Sequence, residues 1–338
     1  MIRHADLSSP ADCAAIDAFL DRHIDATPFH RRAWVDAVSQ GCGHKKHYLM
    51  AGSDVVTGVL PLHEIHSPLF GRALVSSGFA VGGGILAVDA ATVTALSEAA
   101  WKLAQATSCP TLELRGGMLP GDMLHDTTTY LGFARDLASD DETELLAIPR
   151  KQRAEVRKAL GNELTVDLGD RAAHYTVYAE SVRNLGTPVF PRSLFETMLE
   201  TFANDADILT VRKDGKPLAS VLSLYHRGVV MPYWGGGTAA ARPARANDMM
   251  YFALMRHARE RGCTRFDFGR SKAATGAAAF KHNWGFEGAP LAYAKRSIGK
   301  ARAINPLDPQ YSRKVQLWQK LPLPVANFLG PMIARGLG

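Results

Sequence analysis

The chain has 338 residues, 46% of them hydrophobic and 21% charged, with a formal net charge of +6. That length suits two domains of ordinary size with sizeable cores, and the composition is that of a soluble globular protein. The mild positive balance permits a phosphate-rich partner without requiring one. No apolar run approaches the ~20 residues needed to span a bilayer. The opening MIRHADLSSP lacks the apolar stretch of a secretory signal. Cys13, Cys42, Cys109 and Cys263 are scattered without a C-x-x-C pair, so reduced thiols in a cytoplasmic protein are expected.

Residues 11–20 and 31–40 read as short amphipathic helices, the second carrying Trp34, Val35 and Val38. Strands are predicted over 47–51 and 55–66, joined by a turn at Gly52-Ser53-Asp54. Pro61 lies inside the second of these and predicts an edge or a bulge there. A strand over 73–77 comes next, then the triplet Gly82-Gly83-Gly84. A helix over 92–106 leads to a strand over 111–115 that closes on Gly116-Gly117.

The order then returns. Strands are predicted over 207–211, 217–226 and 229–234, with a turn at Asp214-Gly215 and a second triplet, Gly235-Gly236-Gly237. Asn247 or Asp248 is placed to cap a helix whose apolar face is Met250, Tyr251, Leu254 and Ala258. Gly262 ends that helix, and a strand over 264–268 follows. The intervals Gly84–Gly116 and Gly237–Gly269 are both 32 residues. A repeat this long predicts two copies of one α/β (α+β) domain with a mixed sheet flanked by helices, over 1–145 and 146–300, with 301–338 as an extension packed on them. The first copy ends its last strand in LELRGG and has nothing like FKHNWGF, so catalysis is expected mainly on the second.

Between the copies runs PRKQRAEVRK, where Arg150, Arg153 and Arg157 share one helical face with Lys151 and Lys158 beside it. Such a face either holds phosphate groups or is simply solvated. Helices over 172–185 and 192–202 flank a stiff loop, Gly186 to Pro191. The tail from 305 to 338 is rich in proline and apolar residues. It either packs across the domains or lies on a membrane surface, with Trp318, Leu321, Phe328 and Ile333 inward and Arg335 at the headgroups.

The densest chemistry lies in TRFDFGRSKAATGAAAFKHNWGFE, residues 264–287. Phe266 and Phe268 point one way along a strand, and Arg265 and Asp267 the other. Gly269 reads as the strand's end, followed by Arg270, Ser271 and Lys272, then a short helix carrying Phe280, Lys281 and Trp284. Ligands of α/β folds sit beyond the carboxyl ends of strands. The competing reading is a solvated strand exit with Asp267 paired to Arg265 or Arg270. The second glycine triplet leaves room for a ligand or a splayed neighbouring strand. Arg242 and Arg245 precede a helix N-terminus, which suits an anion, or else are surface arginines on a loop.

No G-x-S-x-G, G-x-G-x-x-G or P-loop pattern occurs. His44/His47 and His63/His66 form no H-E-x-x-H motif, and His63 and His66 would face opposite ways along one strand. Surface histidines are expected there in place of a metal site.

Seven stretches between residues 149 and 338 carry a resemblance: PRKQRAEVRKAL, YAESVRNLGTPVFP, PYWGGGTAAAR, NDMMYFALMRHA, RFDFGRSK, FKHNWGFE and LPLPVANFLGPMIARGLG. The chain resembles the FemA/FemB group of tandem acyltransferases, each half similar to a GNAT (GCN5-related N-acyltransferase) domain. It is most similar to FemAB-related proteins associated with exosortase (PEP-CTERM) systems. The resemblance implies transfer of an acyl or aminoacyl group to an amine on a cell-envelope or exopolysaccharide precursor, in the cytoplasm or at the periphery of the inner membrane. It implies aminoacyl-tRNA or acyl-CoA as donor, no tightly bound cofactor or metal, no covalent nucleophile and no DNA partner. Lys281 would stabilise the carbonyl oxygen or a phosphate in the transition state. Asp267 would orient the amine or accept its proton. Arg270, Ser271, Tyr233, Gly235, Gly236, Arg242, Asn247, Asp248, Arg183, Asn184 and Thr187 would bind substrate. Arg150, Arg153 and Arg157 would face the groove between the domains and hold a phosphorylated acceptor or tRNA. The acyl-CoA loop of simple GNAT domains, Gln/Arg-x-x-Gly-x-Gly/Ala, is absent after the second triplet, which favours aminoacyl-tRNA. Two other readings stand beside this one: an acyl-CoA-dependent enzyme acting on an amino sugar, and a non-catalytic scaffold of envelope assembly.

Overall fold

Each half of the chain is built on one pair of parallel strands set in an otherwise antiparallel sheet. The computed structural model describes residues 1–68, 70–299 and 309–338. The first half supplies β1 (Ile2–His4), α1 (Pro10–Arg22), α2 (Arg32–Cys42), β2 (Lys45–Gly52), β3 (Val56–Ser67), β4 (Gly71–Ser76), β5 (Leu86–Ala87), α3 (Ala90–Ala106), β6 (Thr111–Arg115) and β7 (Leu124–Asp126). Then come β8 (Tyr130–Asp136), α4 (Asp141–Ala147), α5 (Arg150–Leu160), β9 (Thr165–Leu168), α6 (Arg171–Asn184) and α7 (Arg192–Phe202). The second half continues with β10 (Ala206–Lys213), β11 (Lys216–His226), β12 (Val229–Gly237), α8 (Ala241–Ala244), α9 (Ala246–Glu260), β13 (Arg265–Lys272) and α10 (Gly276–Asn283). It closes with β14 (Gly288–Pro290), β15 (Tyr293–Ser297), α11 (Pro309–Gln319) and α12 (Leu323–Ala334).

The first sheet has the order β1-β2-β3-β4-β6-β15-β7, with β5 also on β3, and the second β14-β8-β13-β12-β11-β10-β9. The parallel pairs are β4 with β6, Leu74 opposite Leu112, and β12 with β13, Val229 opposite Arg265. The two halves exchange strands. β8 precedes residue 145 yet pairs with β13, Arg135 opposite Phe266. β15 belongs to the second half by sequence yet lies between β6 and β7, Tyr293 opposite both Arg115 and Asp126.

The equal 32-residue intervals do not join equivalent positions. Gly235–Gly237 form the end of β12, whereas Gly82–Gly84 lie in the loop between β4 and β5. The true correspondence is in the two parallel pairs. Pro61 is neither at an edge nor at a bulge. It sits where β3 changes partner, from β5 at Gly58 and Val59 to β4 from Leu62 onward, a gap in the ladder that tolerates a residue without N–H. The cap expected at Asn247 or Asp248 is displaced as well. α9 begins at Ala246, after Arg245 in the left-handed region at φ 60°, and both residues lie inside its first turn.

A shared core joins the halves. Phe29, Trp34 and Val38 from the first pack with Phe195, Met198 and Trp234 from the second, and the Trp34 and Trp234 rings stack 5.9 Å apart at 10°. Helices α2 and α7 meet so closely that a Cβ on Gly41 would lie 2.5 Å from Leu194 Cα. Ser193 Oγ donates to Gly41 O at 2.6 Å and Thr197 Oγ1 to Ala37 O at 3.0 Å, so hydroxyls replace water at the contact.

The tail packs across both halves. Ala326, Gly330 and Ala334 form the buried face of α12, which lies on α6. The final turn, Arg335–Leu337, lies on β3, with His44 Nε2 2.7 Å from Arg335 O. Residues 305–308, where the proline-rich run begins, lie outside the described residues, as does residue 300 at the expected end of the second domain. Among the described residues no helix is long and apolar enough to cross a membrane. All four cysteines are free thiols.

Candidate active site

Strands β12 and β13 pair at only two positions, Val229 with Arg265 and Val230 with Phe266, and then diverge. Their carboxyl ends therefore leave an opening. β13 does not end at Gly269; it runs on to Lys272 through an irregularity between Asp267 and Arg270 in its pairing with β8. Gly269 has φ 66°, a left-handed conformation that glycine adopts without strain, and this is how the strand absorbs the extra residue. Phe266 and Phe268 stay in the core, and Asp267 takes the opposite face.

The Asp267 carboxylate accepts the Gly269 N–H at 2.8 Å. Burial raises its pKa, against the opposing pull of that N–H, Lys281 and Arg265. It is not the paired surface acid of the competing reading. Arg265 pairs with Asp136 at 2.6 Å, and Arg270 bonds Tyr293 Oη at 2.9 Å.

Lys281 sits in α10, which is capped by Thr275 and anchored by buried Trp284. Its ammonium turns back under the bulge. It donates to Phe268 O at 2.7 Å, Gly269 O at 3.1 Å and Arg270 O at 2.9 Å, and lies 5.2 Å from the Phe133 ring centroid. Burial lowers its pKa to about 8. An ammonium has three N–H groups, and all three here hold backbone carbonyls. The residue expected to reach a substrate oxygen is thus engaged in shaping the strand end.

Beside this strand the two halves meet in a seam. The Arg270 guanidinium lies over the rings of Tyr130 (4.8 Å) and Tyr293 (5.7 Å), which come from the exchanged strands β8 and β15. The first half closes the seam with the loop Ser77–Ile85. Three successive carbonyls of that loop are held by side chains from three strands. Tyr233 Oη donates to Phe79 O at 2.8 Å, Arg115 to Ala80 O at 3.3 Å and Tyr293 Oη to Val81 O at 2.7 Å. Glu113 braces Arg115 at 2.8 Å and Lys295 at 3.1 Å. Although its burial opposes ionisation, these two cations hold its pKa down at about 2.

Of the other expected residues, the structure brings Tyr233 to the seam. Ser271 is buried, and its Oγ has no hydrogen-bond partner among the described residues. Gly235 abuts Val221 and Gly236 abuts Ser181, so those two glycines admit neighbouring side chains of β11 and α6 and not a ligand. Asn247 abuts Gly237. Asp248 accepts Gln152 Nε2 at 2.5 Å, and its pKa is raised by burial. Arg242 is exposed, and Arg245 pairs with Glu155 at 2.5 Å. Arg183, Asn184 and Thr187 do not gather at β13. Arg183 donates to Gln319 O at 3.0 Å and Asn184 O accepts Gln319 Nε2 at 3.1 Å, so the first two meet the tail. Thr187 caps α6 by its N–H, 2.8 Å from Val182 O.

Helix α5 does not line the groove between the halves. Val156 and Ala159 are its buried face, and it packs on α9 and α4. Arg150 and Arg157 are exposed and Arg153 half-buried, and none of the three has a hydrogen-bonded or ion-paired side chain among the described residues. The histidines are not all at the surface. His63 is buried between Val35 O (3.0 Å) and the Gly78 N–H (3.0 Å), and His44 is buried against the tail, while His66 faces out as the strand alternation requires. Among the described residues no cluster could hold a metal ion. Sequence reasoning missed Tyr130, Tyr293 and Arg115. They reach the seam only through the strand exchange and the first sheet, and no local pattern marks them.

Residues 149–282 match the family described as Acetyltransferase (GNAT) domain. No curated protein sequence matches the chain. Among solved structures, FemX is similar with a TM-score of 0.63 at 17% identity, over 87% of this chain and 96% of that one. A tandem GNAT protein from the clavulanic acid biosynthesis pathway is similar with a TM-score of 0.56 at 15% identity, over 89% and 100%. L-PGS from Bacillus licheniformis has a TM-score of 0.54 at 12% identity, over 93% and 97%. At such identities the likeness concerns the fold, here two mixed sheets flanked by helices. The protein has a tandem GNAT fold, and residues 149–282 in its second half are what match the GNAT acetyltransferase family.

Proposed function

We propose that the protein is an N-acyltransferase that moves an acyl or aminoacyl group to an amine at the open end of β12 and β13. The observation that carries this is Asp267, a withdrawn carboxylate without an ion-pair partner among the described residues, at the strand exit of the GNAT-matched half. A carboxylate whose pKa is raised by burial is a better base than one in water. The amine nitrogen attacks the acyl carbonyl, Asp267 takes the proton the nitrogen loses, and the bond from the acyl carbon to the donor's oxygen or sulfur breaks. The Lys281 clamp keeps the strand end, and with it Asp267, in position.

For the donor we favour aminoacyl-tRNA over acyl-CoA. The unpaired Arg150, Arg153 and Arg157 support this, since arginines without acid partners suit a phosphate backbone. The acceptor we assign to cell-envelope or exopolysaccharide precursors of an exosortase-associated system, on the resemblance alone. Peripheral contact with the inner membrane belongs to the same reading and is supported by the outer face of α12. The test supplies labelled aminoacyl-tRNA and, separately, labelled acetyl-CoA with an extract of envelope precursors. Label should pass to a small amine product and fall at least ~10²-fold in Asp267→Asn. Unchanged transfer in that variant removes Asp267 from the mechanism. Absence of transfer from both donors overturns the enzyme reading in favour of a scaffold.

A further inference from the structure

We propose that Arg270 anchors a phosphate-binding subsite in the seam between the halves, which takes a doubly charged phosphate group of the acceptor. The inference rests on the acyl-transfer reading only in naming the acceptor as the owner of that group.

Arg270 is aimed but not neutralised. One of its five N–H groups goes to Tyr293 Oη at 2.9 Å, and two tyrosine rings hold its plane. Burial disfavours the charged guanidinium, and the surrounding tyrosine oxygens of Tyr293, Tyr130 and Tyr233 outweigh it, so the group stays charged. The other arginines around it have acid partners. Arg115 has Glu113 at 2.8 Å, and Arg265 has Asp136 at 2.6 Å. Arg270 has no carboxylate of the described residues within ion-pair distance. The adjoining loop carbonyls of Phe79, Ala80 and Val81 accept from Tyr233, Arg115 and Tyr293, and the one hydrogen bond of the Arg270 side chain among the described residues goes to Tyr293. A guanidinium withdrawn from water is costly unless its charge and its N–H groups are met. A planar fork with free N–H groups is met best by a bidentate oxyanion. Lys272, 5.9 Å from the Tyr130 ring, adds to the positive field, and its own pKa is lowered first by burial and then by Arg270 and Lys295. That crowding of cations favours a dianionic phosphate over a single carboxylate.

The aromatic sleeve also says why the site lies here. Tyr130 and Tyr293 stand on the two exchanged strands, so the subsite exists only when both halves are assembled, and Arg270 shares β13 with Asp267.

The test is titration of the full chain with inorganic pyrophosphate at low salt by calorimetry, with malonate as the dicarboxylate arm. Wild type should bind pyrophosphate at one saturable site. Arg270→Gln should weaken it at least tenfold. Tyr293→Phe, which keeps the ring and loses the hydroxyl that aims Arg270, should weaken it severalfold. The triple variant Arg150→Ala, Arg153→Ala, Arg157→Ala should bind as wild type does. No binding to wild type, or equal binding to Arg270→Gln, overturns the proposal. So does loss in the triple variant alone, which moves the phosphate to α5. Malonate binding as tightly, with the same dependence on Arg270, overturns the choice of phosphate. Displacement of pyrophosphate by uncharged tRNA assigns the subsite to the donor and overturns the choice of acceptor. Should Arg270→Gln fail to fold, Tyr293→Phe decides alone, and an unchanged affinity in it overturns the proposal. Because nothing is turned over, the outcome is independent of whether the Asp267→Asn assay succeeds.

Discussion

The Lys281 ammonium donates to the carbonyl oxygen of Gly269 at 3.1 Å, and the same Gly269 gives its N–H to Asp267 at 2.8 Å. One glycine in the left-handed region thus links the clamp to the acid. The link predicts that Lys281 is needed for structure before it is needed for chemistry.

Replacing Lys281 by Met should cost more than the ~0.5 kcal/mol typical of a surface change. It strands three inward-facing carbonyls, each worth about 1–3 kcal/mol if left unpaired, so a loss of at least about 2 kcal/mol is expected in denaturant melts. The pH dependence checks the same point. The pKa of Lys281 falls to about 8 on folding, below the ~10.4 of an unfolded lysine. Between those values the unfolded chain binds more protons than the folded one, so this group makes stability rise with pH. Below about pH 8 both states are protonated and its full cost is present; that cost is relieved as pH climbs toward ~10.4. The wild-type minus Lys281→Met difference should therefore grow in favour of wild type across that window. A flat difference, or a Met variant as stable as wild type, would refute the clamp.

Gly41→Ala tests the joint between the halves. In an open helix, alanine is about 1 kcal/mol better than glycine. At Gly41 a Cβ would meet Leu194 Cα at 2.5 Å, and backbone cannot swing aside as a flexible side chain can. Overpacking of this kind costs about 1–3 kcal/mol, so the steric term should win and the variant should melt lower. A higher melting temperature would mean that α2 and α7 separate easily.

The strand exchange predicts what dissection does. A fragment of residues 146–338 lacks β8, which pairs with both β13 and β14, and leaves β15 without β6 and β7. It also exposes Trp234 and Phe195, which pack against Trp34 in the whole chain. Such a fragment should show no cooperative thermal transition by circular dichroism. A fragment starting at residue 128 recovers β8 yet still lacks the partners of β15 and of Trp234, so it should remain weakly cooperative. A sharp, full-amplitude melt in the shorter fragment would show that the halves fold independently.

Much of this fold is legible locally. The strand over 111–115 and the helix over 192–202 are where hydrophobic pattern and breakers place them, because both are decided by near neighbours in the chain. Gly269 misleads because a glycine that ends a strand and one that bulges within it look alike in sequence; only the partner strand β8 tells them apart. Tyr130 and Tyr293 are 163 positions apart, and each joins the sheet of the other half, so no window of sequence holds the relation. The Lys281 side chain is legible in type but not in direction. Phe280 and Trp284 mark the inner face of its helix, while the three carbonyls that claim its ammonium exist only once β13 has bulged.

The tail carries the last prediction. α12 turns its small residues inward and its large ones out. Ala326, Gly330 and Ala334 are buried, while Val325, Phe328 and Met332 are 41%, 74% and 51% exposed. An apolar face of this kind on a packed helix calls for a covering surface. Its charge surroundings choose which: residues 309–338 contain no Asp or Glu, and Arg313, Lys320 and Arg335 are exposed. That combination suits the interface of an anionic bilayer, where an inserted aromatic contributes about 1.5–3 kcal/mol and each nearby cation about 1 kcal/mol. The protein should therefore cosediment with phosphatidylglycerol-containing vesicles and much less with neutral ones. Phe328→Glu should lower the partition coefficient at least tenfold and leave the melting temperature near that of wild type, since the side chain faces outward. Raising salt should weaken the binding without abolishing it, because screening reaches the cations and not the apolar face. Equal sedimentation with neutral vesicles would remove the electrostatic half of the argument. A concentration-dependent dimer that Phe328→Glu dissociates, with no vesicle binding, would give the face to a second copy of the chain.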